Sequence, residues 1–540
     1  MIHQTRLPLI LILCFGSLLR FINLGGKPLW LDEVITGLFT FGQGYQVIPR
    51  ETLFSLATIP NFFTYQERSC SEIATFLAEQ STHPPLFFCL IHRWLGVIQS
   101  GDSSNDMIAF SLRFLPAIFG ILAIVLLYWL NRKAFSKQAG LAGAALMAIS
   151  PFAVYLAQEA RQYTFLFVLI TLALLAFIQL IQSSRYRWLN WLLWGVANSL
   201  GAYTHYFFLL SFFAQILTLF IVFVARSRRQ FIVLFGVTGG VILSYLPWLP
   251  VLFDHFSSPK TDWLGSFDWF APIYQLILGW IVMVVTFPVE NQPIWIQICS
   301  ALIMLGFSGW FLYHLSLGYR KLLENKATRQ VTIALSFYII IILLQVLFII
   351  YGLGKNIAIA PRYNYVYYPA ICSLLGASLV ARKEQLSLPS FRRLLEIIGV
   401  IGVASCIFVV GNFFFLKPYF PEVTAERLNQ SSEPMLIVMG YQDNIDLAIG
   451  LSYGLALHPI RNPAVTSQFI FLDRRDGYDR IWKKISELPL DVSQVWVIGT
   501  GLKRTAFPEQ LNLDLSGICQ RDRENYYRIG IPYQRYQCKE

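Results

Sequence analysis

IAFSLRFLPAIFGILAIVLLYWL, residues 108–130, holds one charged side chain, Arg113, and is closed by Arg132 and Lys133. A helix of about 20 apolar residues crosses the ~30 Å hydrocarbon core of a bilayer, so this run reads as a transmembrane span. Similar stretches recur at 7–24, 139–156, 163–182, 188–205, 206–225, 231–253, 294–316, 330–353, 364–381 and 394–416. Composition agrees: 56% of the 540 residues are hydrophobic and 14% are charged, where a soluble domain carries about 25% charged residues. A soluble enzyme is excluded. With 16% aromatic residues, so is low-complexity disorder. The expected fold class is mainly α, a polytopic membrane protein.

Two further apolar segments, 84–99 and 273–289, are shorter and are bounded by prolines. If both lie in the interface or re-enter, eleven spans result and all the strongly basic short loops fall on one side. These loops carry Arg132, Lys133 and Lys137; Arg185 and Arg187; Arg226, Arg228 and Arg229; Arg320, Lys321, Lys326 and Arg329; and Arg382, Lys383, Arg392 and Arg393. That side is the cytoplasm by the positive-inside rule. Thirteen spans, the alternative, would send three basic loops outward. Both topologies put the N-terminus in the cytoplasm and the C-terminus outside. The formal charge of +11 is then topogenic, and no nucleic-acid partner is inferred. The segment after Arg6 lacks a small-residue cleavage site and reads as a retained first span.

Two domains are expected: a membrane domain over 1–416, with a first external loop at 25–83, and an external α/β domain over 417–540. In the latter PMLIVMG, FIFLD and QVWVIGT read as short buried strands, and 445–457 and 478–488 as helices. Cys14, Cys89, Cys299, Cys372 and Cys406 sit in apolar runs and read as core residues. Cys70, Cys519 and Cys538 read as solvent-facing. Cys519 and Cys538 flank the last expected strand, where pairing and two free thiols are both open.

Chemistry-bearing residues gather at the outer face. KPLWLDEV places Asp32 and Glu33 shortly after the first span, beside Trp30 and the interfacial Arg20. Adjacent carboxylates can divide labour between a general base and a group holding a hydroxyl or cation, or simply stabilise a helix start. THPPLFFCLIHRW brings His83 to a proline-initiated helix, where it binds phosphate, orients a carboxylate or caps the helix; His92 and Arg93 mark that helix's wet end. SPFAVYLAQEARQYTF joins two spans and carries Gln158, Glu159, Arg161 and Tyr163. Arginine matches a pair of phosphate oxygens, while an ion pair with Glu159 is the plainer alternative. APRYNYVYYP adds Arg362 and Tyr363. External cations and carboxylates beside a bilayer suggest a lipid phosphate leaving group and a hydroxyl acceptor. The chain has no Gly-rich nucleotide fingerprint between a strand and a helix.

In the order LWLDE, THPPL, RFLPAIFG, SP with YLAQEARQY, and a later PRY, the chain resembles the GT-C membrane glycosyltransferases, in the protein O-mannosyltransferase and aminoarabinose transferase branch. The resemblance covers residues 1–380 and is densest in the first 165. It implies transfer of a hexosyl or pentosyl group from a polyprenyl-phosphate-linked donor to a lipid or glycan acceptor on the extracytoplasmic face. Asp32 takes the place of the catalytic carboxylate and Glu33 that of its acidic neighbour. Arg161 and Arg362 take the donor phosphate, and His83, Glu159, Tyr163 and His205 line the cavity. Arg113 reads as structural. The extra luminal domains of protein-modifying relatives are missing, which disfavours a protein acceptor. No cofactor is assigned; a divalent metal stays open, since no external carboxylate triad has ligand spacing. The implied reaction is a single, inverting displacement with Asp32 as base. The rival is a transporter or flippase of a lipid-linked saccharide, motivated by the span count and by Pro151, Pro247 and Pro250. A third reading, a scaffold whose tail binds glycan, leaves the membrane motifs unexplained. Short loops and a modest tail suggest a prokaryotic plasma membrane.

Overall fold

The computed structural model describes residues 6–98, 105–182, 187–224, 227–258, 265 and 267–538. Arg185 and Arg226 of the basic loops lie outside them. The chain forms two compact units, one of residues 1–24, 81–87 and 113–416, the other of residues 25–80, 88–112 and 417–540.

The first unit is helical. Among the described residues six helices are long and apolar enough to cross a membrane: 106–134, 163–182, 228–256, 294–324, 326–352 and 388–410. A seventh candidate is the pair Lys137–Ala148 and Pro151–Ala157, bent by 61°. The bend falls at Ser150-Pro151, where Ser150 caps the second helix and proline takes its first position, a place that needs no amide proton. Shorter helices Arg6–Phe21, Arg187–Ala202, Phe208–Val224 and Tyr368–Arg382 cover the other expected spans. Helices Leu86–Ile98 and Ala271–Ile281, of 13 and 11 residues, fall short of a span. Ser136, Ser227, Asn325 and Ser387, all in the basic loops, each accept a backbone N–H at the start of the following helix. Polar loop ends thus satisfy amides that the hydrocarbon could not.

Arg20 packs inside the helical unit. It is fully buried, and its guanidinium donates to the carbonyls of Gly16, Ala148 and Met147, closing the end of helix Lys137–Ala148 at the bend. Arg113 is likewise buried and donates to Leu24 O at 2.9 Å, the structural part expected of it.

The second unit is built on a seven-stranded mixed sheet. Its strands are β1 Phe54–Ser55, β2 Met435–Tyr441, β3 Ser467–Asp473, β4 Gln494–Ile498, β5 Gln510–Leu513, β6 Gly517–Ile529 and β7 Ile531–Cys538. Their order is β1-β3-β2-β4-β7-β6-β5. Strands β2 and β4 are buried throughout and run parallel, with β3 parallel on the other side of β2, so they read in sequence as unbroken apolar runs. The expected helices are present as Asn444–Leu457 and Tyr478–Ser486.

This sheet is not made by the tail alone. Phe54 of the loop after the first helix pairs with Phe469 and stacks on Phe469 and Phe471 at ring separations of 5.5 and 6.1 Å. Glu51 N–H donates to Phe471 O, and Asp473 N–H donates to Glu51. The compact unit therefore takes in 25–80 and 88–112 as well as 417–540.

The cysteines depart from their expected burial. Cys89 is bonded to Cys70, so it is not a plain core residue, and Cys519 is bonded to Cys538 across paired strands β6 and β7. Cys519 and Cys538 are buried, whereas Cys14 and Cys299, expected inside, are exposed on apolar helix faces. His92 is not at a wet helix end either. It is buried, with Nδ1 2.8 Å from Thr40 O and Nε2 3.1 Å from the Arg68 backbone.

Candidate functional site

In the first unit five of the sequence-selected residues converge. The segment Ser81–Pro85 approaches helix Leu86–Ile98, whose first amide donates to Tyr203 O at 3.0 Å. This puts His83 beside the turn that carries His205, with imidazole centroids 6.2 Å apart. The turn after helix Pro151–Ala157 supplies Arg161, and its Nη2 lies 2.8 Å from His83 Nε2. Tyr163 opens the next helix with its ring 6.3 Å from His205 and 5.5 Å from Tyr365. Arg362 comes from the short 3-10 segment Pro361–Val366, its guanidinium 5.5 Å from the Tyr363 ring centroid.

The hydrogen bonds assign the protons. Arginine has donors only, so His83 Nε2 accepts from Arg161, and the His83 proton sits on Nδ1, 2.9 Å from Ser81 Oγ. His205 Nδ1 accepts from Phe207 N–H at 3.1 Å, which leaves its proton on Nε2. Both imidazoles are neutral. Burial first, then the positive charge of Arg161, holds His83 well below the ordinary histidine range. Burial, Arg161 and Arg362 lower His205 to about 3. Two guanidinium groups thus act on the same histidines, which cannot add positive charge of their own. Arg161 and Arg362 are the guanidinium groups of this region, of the kind that matches an oxyanion with two acceptor oxygens.

Ser81, Tyr365 and His255 join this cluster without having been selected from the sequence. His255 Nδ1 lies 2.6 Å from the Tyr206 hydroxyl, which accepts from Trp248 Nε1 at 3.1 Å. The signal for His255 was a histidine just after the 231–253 apolar run; Ser81 and Tyr365 gave none. His83 accepts from Arg161 and so can orient it. Glu159 is buried in the same turn. Gln158, read as part of the polar cluster, spends its amide on Leu19 O and Ile22 O, which ties the turn to the end of the first helix.

Asp32 and Glu33 belong to the second unit, in the first turn of helix Leu31–Thr40. Acidic side chains favour that end of a helix, so the plainer structural role is fulfilled too. Glu33 is buried and Asp32 is half-buried, which leaves Asp32 the more accessible carboxylate. Among the described residues no three His, Cys, Asp or Glu side chains form a group able to hold a metal ion.

Residues 82–251 match the family described as Dolichyl-phosphate-mannose-protein mannosyltransferase, a range that includes His83, Glu159, Arg161, Tyr163 and His205. ArnT from Cupriavidus metallidurans, solved in the apo state and bound to undecaprenyl phosphate, covers 97% of this chain over 97% of its own length. Identity is 11% and the TM-score is 0.52 for both structures. The chain has the fold of the GT-C membrane glycosyltransferases. The GT-C resemblance read from LWLDE, THPPL and QEARQY is thereby borne out, with multiple membrane-length helices in the described residues. The oligosaccharyltransferase of Archaeoglobus fulgidus, solved with Zn and sulfate, is 15% identical with a TM-score of 0.48. It covers 85% of this chain, and the chain spans 62% of its length, less than two thirds. A comparison with curated proteins gave no match.

Proposed function

We propose that this GT-C protein is a glycosyltransferase that takes a sugar from a polyprenyl-phosphate donor and transfers it to a lipid or glycan hydroxyl on the extracytoplasmic face of a prokaryotic plasma membrane. The observation that carries this reading is Arg161 held against His83 next to His205, with Arg362 on the segment whose Tyr363 and Tyr365 rings face His205, a set of groups fit for a phosphate. As the glycosidic bond breaks, negative charge grows on the phosphate, and fixed guanidinium donors stabilise it there more than in the ground state. His83, backed by Ser81, orients Arg161, while Tyr163 and His205 line the site.

Asp32 is the general base. It accepts the proton of the acceptor hydroxyl while that oxygen attacks the anomeric carbon, and the sugar–phosphate bond breaks in the same step, inverting the anomeric centre. Glu33 supports Asp32 from its buried position. Eleven spans, with the N-terminus inside and the tail outside, is the topology that accompanies this reading. A divalent metal is neither required nor excluded by it.

The test against the flippase alternative uses the protein in sealed vesicles with radiolabelled polyprenyl-phosphate sugars and extracted membrane lipid as acceptor. Transfer of label to a new product, with release of polyprenyl phosphate, is expected for one donor. Movement of intact donor across the bilayer without product would sink the transferase reading.

A further inference from the structure

The three residues before Asp32 are each held by a different residue of the chain's C-terminal portion. Helix Leu31–Thr40 starts at Trp30, whose side chain supplies no cap hydrogen bond. The amides of a helix's first turn lack partners inside the helix, and Ser, Thr, Asp or Asn usually supplies one at this position. Here Leu31 N–H donates to the hydroxyl oxygen of Tyr419 at 2.7 Å, across 388 residues of chain. Ser452 Oγ donates to Leu29 O at 2.8 Å. Lys417 Nζ sits 4.1 Å from the centroid of the Trp30 ring. Tyr419 and Ser452 are both buried. Two separate ties result, Leu31 N–H to Tyr419 and Ser452 to the Leu29 carbonyl, on either side of Trp30. All of these residues lie within the second compact unit.

We propose that Tyr419 and Ser452 are positioning residues for Asp32, so that the C-terminal portion is a working part of the catalytic base and not an accessory domain. The proposal rests on the reading of Asp32 as general base. Fixing Leu29 and Leu31 on either side of Trp30 sets the direction in which the helix leaves the chain. Asp32, the second residue of that helix, then keeps one orientation toward the acceptor hydroxyl. A base displaced by about 1 Å can cost ~10²-fold in rate without any lost contact to the donor.

The experiment compares full-length wild type, Tyr419→Phe, Ser452→Ala and Asp32→Asn by donor-saturated kinetics and by amide exchange of the peptide covering 29–40. Tyr419→Phe keeps the ring and removes only the hydroxyl. Expected are a kcat reduced about 10- to 100-fold, an unchanged donor KM, and faster exchange over 29–40 with the first unit's peptides unaffected. Ser452→Ala should show the same pattern more weakly, because Tyr419 still accepts from Leu31. Unchanged exchange over 29–40 in both variants would overturn the positioning role. Faster exchange with unaltered kcat, while Asp32→Asn is inactive, would overturn its link to catalysis. An active Asp32→Asn would instead bring down the base assignment, and the positioning proposal with it.

Discussion

Replacing Arg161 by Gln removes a charge while leaving an amide that can still donate to His83. Arg161 is buried, and its Nη2 lies 2.8 Å from His83 Nε2. Its charge is also the second largest cause of the lowered His83 and His205 values. Loss of one fixed donor to a developing oxyanion typically costs about 10²- to 10³-fold in kcat, or ~2.7–4 kcal/mol. Losing the charge-assisted bond to His83 costs about 1.5–3 kcal/mol of local stability, partly recovered by the glutamine amide. The expectation is a kcat reduced about 10²- to 10³-fold, with little change in acceptor KM. Arg161→Lys should fall between, since it keeps the charge but loses the planar pair of donors. Initial rates of donor consumption by purified protein in nanodiscs, with thermal unfolding as a folding control, measure both variants. A folded Arg161→Gln within tenfold of wild type, with unchanged donor KM, would refute the assignment of Arg161 to the phosphate.

Other expectations concern stability and the second arginine. His205 is buried and neutral, and its value of about 3 lies below the ordinary 6.5, so its contribution is fully present above pH 6.5 and is lost as pH falls toward 3. His205→Asn should therefore flatten the fall of the unfolding midpoint between pH 6.5 and 4; an unchanged slope would contradict the assignment. Each disulfide closes a loop with a sequence separation of 19, which corresponds to about 3 kcal/mol in the chain-entropy account. Reductant should lower the unfolding midpoint of wild type, and Cys519→Ala with Cys538→Ala should reproduce part of that loss. Tyr338 meets Ser211 Oγ at 2.7 Å and donates to Val366 O at 2.9 Å, at the end of the segment carrying Arg362. Tyr338→Phe should cost about 1 kcal/mol of stability, read as a shift in the denaturation midpoint, and should raise donor KM severalfold.

The membrane helices and the three central strands were legible because burial on every side leaves continuous apolar runs, as in β2 and β4. The polar edge was not: β5 alternates exposed and buried residues, and β1 is only two residues long. The joining of Phe54 to Phe469 could not be read at all, since pairing across so long a chain segment has no local signature. Cys89 was misread for a related reason. In FFCLIH it looks like any small core residue, and only the fold brings Cys70 to it. At the candidate site, charged residues in short loops pointed to Arg161, which meets His83, and to Arg362. Their neighbours Ser81 and Tyr365 carry no such signal. Arg20 and Gln158 show the converse, polar residues beside the motifs whose task is to close helix ends.

The most direct test of the central claim is a single-turnover measurement of donor consumption by wild type and Asp32→Asn, with the polyprenyl-phosphate sugar identified from a labelled panel and the anomeric configuration of the product determined. The account predicts an inverted product from wild type and a rate about 10²- to 10⁴-fold lower for Asp32→Asn. An Asp32→Asn variant keeping more than about a tenth of the rate, or a product with retained configuration, would contradict it.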